Sequence, residues 1–196
     1  MMPEPRELVL ASTSRYRREL LARLGIDFKS AAPRCGEAPL AGEAPAATAL
    51  RLSVEKAKSL DKEYPEALII GSDQVASSGG ERLGKPGTHE NAVRQLRLLS
   101  GRVADFHTAV SLLDGRSKDI QSRVVLCKVT FRALDERRIE SYLRREQPYD
   151  CAASAKAEGL GIALIERIET EDPTSLIGLP LIALTRMLEG AGVQVL

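Results

Sequence analysis

The stretch Ala67-Leu68-Ile69-Ile70-Gly71-Ser72-Asp73-Gln74-Val75 constrains this chain most. An apolar run this dense reads as a strand covered on both faces, which calls for helices above and below a sheet. The run ends in a carboxylate. Open α/β sheets collect their chemistry where strands end, so Asp73 is a candidate metal ligand or general base. The plain alternative is an Asx residue that shapes a turn. The turn itself follows at Ser77-Ser78-Gly79-Gly80, which leaves Ser72 to Gln74 inside one hairpin arm. The second arm, Glu81 to Pro86, carries Gly84-Lys85-Pro86. Pro86 holds Lys85 extended, from where it would project back toward Asp73.

A second strand with polar residues at its end opens the chain. Leu8 to Ala11 is a short buried strand, and Ser12 to Ser14 supply a turn and a helix N-cap. From Arg17, the i+3, i+4 and i+7 positions are Leu20, Leu21 and Leu24, so Arg17 lies on the apolar face of its helix. A basic residue at a helix start opposes the dipole, which favours anions there. Serine hydroxyls, free N–H groups and an inward arginine at one helix start suit a bound phosphate. An ordinary strand-to-helix turn with solvated arginines gives the same pattern.

Asp27 to Ala32 is a second short strand candidate. Pro33 to Pro39 is a loop whose acidic residue is Glu37, and Ala41 to Ala46 is a connector. With Pro45 at its start, a helix runs from Ala46 to about Tyr64. Its expected stripe is Leu50, Val54, Ala57 and Leu60, with Lys56 at the rim, where it either snorkels or reaches a phosphate. Thr88 caps a helix to Leu99 with Val93 and Leu96 inward. Arg102–Leu113 and Ile120–Phe131 form a hairpin around Asp114-Gly115-Arg116. A charged helix over Asp135–Arg145 turns Ile139, Tyr142 and Leu143 inward. Tyr149 to Ile162 is a small-residue loop with Lys156 and Glu158, open to a ligand's approach or merely to solvent. Ile162–Ile168 is a last strand, and Pro180–Leu188 the final helix.

The 196 residues fit one domain, 1–196, of two lobes. A net charge of +1, with both signs dispersed, argues against a nucleic-acid polymer as partner. No apolar run is long enough to cross a membrane, and Met1–Glu7 does not read as a signal peptide, so the cytoplasm is the expected compartment. Cys35, Cys127 and Cys151 form no C-x-x-C pair, and His89 and His107 are isolated, which disfavours zinc.

Taken together, Ser12-x-Ser14-x-x-Arg17-x-x-Leu20-Leu21, Glu37, Glu55-Lys56-Ala57, Gly71-Ser72-Asp73-Gln74, Gly84-Lys85-Pro86, Lys156-x-Glu158-Gly159-x-Gly161-Ile162 and Gly178-Leu179-Pro180 resemble the Maf-type nucleoside triphosphate pyrophosphatases. The resemblance covers nearly the whole chain. It implies an α/β fold (Maf/ITPase-like) with an elongated mixed sheet flanked by helices, two lobes around a central cleft, and a homodimer. It implies hydrolysis of a nucleoside triphosphate between the α and β phosphates, with a divalent metal cation, Mg2+ or Mn2+. By the same resemblance Glu37 and Asp73 hold the metal, and Asp73, Lys56 and Lys85 are catalytic. Ser12, Ser14, Arg17 and Lys156 bind the substrate. Members directed to dTTP or UTP have Arg, Thr and Gly where Tyr16, Gln74 and Glu158 stand here. The subgroup acting on 7-methyl-GTP has Trp, Gln and Glu, so Tyr16, Gln74 and Glu158 are the expected specificity residues. A cationic 7-methylguanine favours an aromatic face, and a carboxylate accepts from its N1 and N2 donors. The family often has Asp-Glu where this chain has Gly36-Glu37. Two alternatives stand beside this reading: a dTTP/UTP or broader triphosphate pyrophosphatase, and a nucleotide-binding regulator of septum formation.

Overall fold

The computed structural model describes residues 6–196; of the N-terminal segment Met1–Glu7, residues 1–5 lie outside it. Among the described residues one seven-stranded mixed sheet forms the middle layer. It is built from β1 (Leu8–Ala11), β2 (Lys29–Ala31), β3 (Leu68–Ser78), β4 (Glu81–Leu83), β5 (Val103–Asp114), β6 (Ile120–Phe131) and β7 (Ile165–Thr170). The order is β2-β1-β3-β5-β6-β7, with β4 paired to the far end of β3. β1 runs parallel to β2 and β3, and the remaining pairs are antiparallel. Among the described residues five α-helices flank it: α1 (Arg15–Ala22), α2 (Pro45–Lys58), α3 (His89–Leu99), α4 (Glu136–Glu146) and α5 (Leu181–Gly190).

Strand alternation decides which helix covers which face. Leu8, Leu10, Leu68 and Ile70 pack with Leu20 and Leu21 of α1 and with Leu184 and Leu188 of α5. Val9, Ala11 and Ile69, one residue out of phase, pack with Ala57 of α2 and with Leu60. The crossover helices α1 and α2 therefore cover opposite faces, as a β2-β1-β3 order requires when the chain crosses over between strands. The far ends of β3, β5 and β6 enter a separate core through Ala76, Phe106, Cys127 and Phe131, covered by Leu96 of α3 and by Ile139 and Leu143 of α4. β3 is long enough to serve both cores. Its polar middle, Ser72-Asp73-Gln74, lies where one core ends and the other begins, beyond the last residue pairing with β1.

Several boundaries differ from the sequence expectation. The second strand is Lys29–Ala31, short and largely exposed at the sheet edge. α2 ends at Lys58, and tight turns carry the chain on to Tyr64. Its buried face is Thr48, Ala49, Leu52, Ser53, Lys56 and Ala57, so the expected stripe was displaced: Leu50 is exposed and Val54 half-exposed. The reason is local fit. A Cβ on Gly71 would lie 2.0 Å from the Ser53 carbonyl oxygen, so α2 approaches β3 through small residues. The Ser53 hydroxyl is satisfied at 2.8 Å by the Leu50 carbonyl and at 2.7 Å by Ser111. The last strand starts at Ile165, because Leu160–Leu164 coils into a 3-10 turn. The Thr88 cap is as expected, and Asp135, expected inside its helix, is instead the N-cap of α4; each accepts from the backbone N–H three residues on.

Candidate active site

The candidate site draws on the turn after β1, the middle of β3, the last turn of α2 and the loop carrying Glu37. β1 ends at Ala11, and Ser12, buried, begins the turn into α1. The Ser12 hydroxyl oxygen accepts from the Ser14 amide at 3.1 Å, and Ser14 accepts from the Arg17 amide at 3.4 Å. This capping starts α1 with Arg15 and Arg17 in its first turn and no acidic residue. The Nε of Arg17 donates to the Gly178 carbonyl at 2.8 Å, and Ser72 Oγ donates to the same oxygen at 3.0 Å. The break at Gly178-Leu179-Pro180 is thus tied to both α1 and β3. The remaining guanidinium nitrogens of Arg17 have no protein partner among the described residues. Burial lowers the pKa of Arg17, opposed by the charges of Asp73 and Glu37.

Lys56 is the hub. Its side chain lies on the buried face of α2, and its Nζ donates to Asp73 Oδ1 at 2.7 Å and contacts Glu37 Oε1 at 2.6 Å. The two carboxylates differ in setting. The side chains of Lys56 and Asp73 are 5 % and 12 % exposed, whereas that of Glu37 is 66 % exposed on its loop. Asp73 is therefore fixed by helix and strand, and Glu37 is brought in by a loop. The hydrogen bond from Lys56 is the main cause holding the Glu37 carboxyl below its ordinary range, with Lys85 and Arg17 adding to it. Lys85 is exposed and forms no hydrogen bond or ion pair with Asp73 among the described residues, while its charge acts on Glu37 in the same centre.

The loop that brings Glu37 is itself braced by Glu43. Glu43 accepts from Arg51 Nε at 2.8 Å and from Thr48 Oγ1 at 2.7 Å, and Arg51 also donates to the Ala38 carbonyl at 3.1 Å. The hydrogen bond from Arg51, ahead of that from Thr48, holds the Glu43 carboxyl at about 2.

The expected specificity residues occupy two places. Gln74 Nε2 donates to Thr108 Oγ1 and the Ser175 carbonyl at 2.9 Å, and to the Leu176 carbonyl at 3.1 Å; it clamps the 173–177 turn to the strand. Tyr16 stands at the start of α1, its hydroxyl 3.1 Å from both oxygens of Asp150. Glu158 is exposed, and its charge reaches Lys156, Cys151 and Tyr142. Lys156 is paired with Glu146 at 2.7 Å, and the other Glu146 oxygen accepts from the Leu160 amide at 2.7 Å. In this structure Lys156 therefore braces its own loop. Asp150, Glu43 and Glu146 were invisible as site residues in the sequence, because each acts through a partner set by tertiary contact.

Among the described residues no group of three or more His, Cys, Asp and Glu side chains converges as a metal cage. The two carboxylates meet on Lys56 Nζ, and such a pair fits the donor set of Mg2+, which commonly takes one or two carboxylates and completes its shell with phosphates and waters. The three cysteines are free. No helix among the described residues is long and apolar enough to cross a membrane.

Fold and site together define a mixed α/β protein whose central strand and a covering helix present a buried lysine–carboxylate centre beside a donor-rich helix start. The chain belongs to the Maf family: residues 7–191 match the family described as Maf-like protein. It is similar to a 7-methyl-GTP pyrophosphatase of Cupriavidus pinatubonensis, 57 % identical over 190 residues, 97 % of this chain and 95 % of that one. A protein of the same name from Thiobacillus denitrificans is 59 % identical over 189 residues, 96 % and 94 % of the two chains. Another from Cupriavidus metallidurans is 56 % identical over 185 residues, 94 % and 93 %.

Proposed function

We propose that this protein hydrolyses the α–β phosphate bond of 7-methyl-GTP, giving 7-methyl-GMP and diphosphate. The chemistry is carried by one observation: the buried Lys56 sits between Glu37 and Asp73, in the polar middle of β3 beyond its pairing with β1. The choice of substrate is supported by the near-full-length relatives named 7-methyl-GTP pyrophosphatase.

On this reading the Ser12–Arg17 turn receives phosphate oxygens. The Ser12 hydroxyl oxygen already accepts from Ser14, so its proton is free to be donated outward. Arg17, fixed through Nε, offers its terminal nitrogens as a fork. Lys56 and Lys85 supply the positive charge that stabilises the departing diphosphate. Asp73, held in one orientation by Lys56, orients the attacking water and takes its proton. Glu37 and Asp73 would hold a divalent cation, Mg2+ or Mn2+; when bound it would add Lewis-acid polarisation of the phosphates. A homodimer acting in the cytoplasm belongs to the same reading.

The test is diphosphate release from 7-methyl-GTP, GTP, dTTP, UTP and CTP with Mg2+ or Mn2+, repeated with excess chelator. The expected result is a clear preference for 7-methyl-GTP that chelation abolishes. Preference for dTTP or UTP overturns the substrate. Nucleotide binding without release from any of them overturns the chemistry.

A further inference from the structure

Beside the phosphate-facing residues lies a second polar cluster that the chemistry above does not use. Arg15 at the start of α1 lays its guanidinium carbon 4.7 Å from the centre of the Tyr16 ring. Its NH2 group donates to the Tyr16 hydroxyl at 2.6 Å and to Asp150 Oδ2 at 3.4 Å. The Tyr16 hydroxyl stands 3.1 Å from both Asp150 oxygens and 3.6 Å from Cys151 Sγ. Asp150 is 134 residues away in sequence, on the loop carrying Glu158. The charges of Asp150 and Glu158 both reach Cys151. An aromatic face, one carboxylate in contact and a second nearby form a site made for a flat cation.

The cation now there is poorly held. The Arg15 and Asp150 side chains are 62 % and 52 % exposed, and a pair this open contributes little. Arg15 also stands at a helix start, where the dipole disfavours positive charge. Its guanidinium is nevertheless a planar cation with a fork of N–H donors. A 7-methylguanine ring has the same two properties: delocalised positive charge, and adjacent N1–H and N2–H donors on one edge. The site's occupant and the proposed substrate's base thus share one chemistry.

We propose that Asp150 is a base-recognising carboxylate and that Arg15 is a resident stand-in, displaced when a 7-methylguanine ring stacks on Tyr16. This rests on the reading of the substrate as 7-methyl-GTP. Asp150 accepts hydrogen bonds from the guanine edge, and its charge favours the methylated, cationic base over plain guanine. Arg15 keeps the carboxylate and the ring face partnered while the site holds no base.

The experiment measures kcat and KM for 7-methyl-GTP and GTP with the full chain, its Asp150→Asn variant and its Arg15→Ala variant. Thermal melts would verify that both variants are folded, which the exposure of both side chains favours. Asparagine keeps an acceptor oxygen and removes the charge. Asp150→Asn is expected to lower the 7-methyl-GTP to GTP ratio of kcat/KM by about tenfold, through KM. Arg15→Ala is expected to lower KM for 7-methyl-GTP by a few-fold, with kcat unchanged. Equal losses on both substrates in Asp150→Asn, or a raised KM in Arg15→Ala, would overturn the proposal while leaving the reaction intact. A full chain that does not hydrolyse 7-methyl-GTP overturns both the reaction and this inference.

Discussion

Replacing Gly71 by alanine tests whether the packing of α2 on β3 sets the site. The added Cβ would lie 2.0 Å from the Ser53 carbonyl oxygen and 2.8 Å from the Ala57 amide nitrogen. Both are backbone atoms of α2, so no side chain can swing away. Contacts of this kind begin near 3.0 Å, which forces the helix back by about 1 Å at Ser53. Lys56 lies between the two points of collision, and its 2.7 Å contact with Asp73 is lost or held at the cost of strain. Overpacking of a close-packed core costs about 1–3 kcal/mol. Misplacing a catalytic group by about 1 Å costs on the order of a hundredfold in rate. Urea unfolding followed by circular dichroism reads the first effect, and kcat for diphosphate release reads the second. Gly190→Ala is the control, since its Cβ meets only ordinary contacts at 3.9 Å. A Gly71→Ala protein within about 0.5 kcal/mol of the parent, and within about twofold in kcat, would refute the reasoning.

Other expectations follow from the same contacts. Lys56→Met leaves Asp73 buried without its partner, with an expected loss of about 3–5 kcal/mol in urea unfolding; adding Asp73→Asn should recover part of that stability and none of the activity. Glu43→Gln gives a pH signature. The Glu43 carboxyl is held at about 2 against an ordinary 4.5, so its contribution is complete above about pH 4.5 and disappears as pH falls toward 2. The stability gap between parent and variant should therefore be open at pH 7 and closed near pH 2 in urea titrations. Glu146→Gln removes the charge that binds Lys156 and the Leu160 amide; amide exchange over residues 156–162 should quicken by about tenfold, with that of β3 unchanged.

The legible parts of the sequence were those encoded by local pattern. β3, with its polar break, and the β5–β6 hairpin were visible in the run of residues, as were the capped starts of α1 and α3. Ser12, Arg17 and Asp73 could be picked out because they interrupt apolar patterns. α2 was misread because its inner face is chosen by the glycine opposite. Ser53 and Lys56 are buried there because Ser111 and Asp73 satisfy them, and none of this is present in a helical stripe. The β7 boundary failed for a related reason: the apolar Ile162 and Leu164 belong to a 3-10 turn that packs on the far core. The partnerships of Asp150 with Tyr16, and of Gly178 with Arg17 and Ser72, join segments more than 100 residues apart. No local spacing encodes them.

The most direct test of the central claim is chromatographic identification of the products formed from 7-methyl-GTP by the parent protein and by Asp73→Asn, with nucleotide binding measured on both. The account predicts 7-methyl-GMP and diphosphate from the parent, and binding without products from the variant. Turnover by Asp73→Asn at the parent's rate, or release of 7-methyl-GDP and orthophosphate, would contradict it.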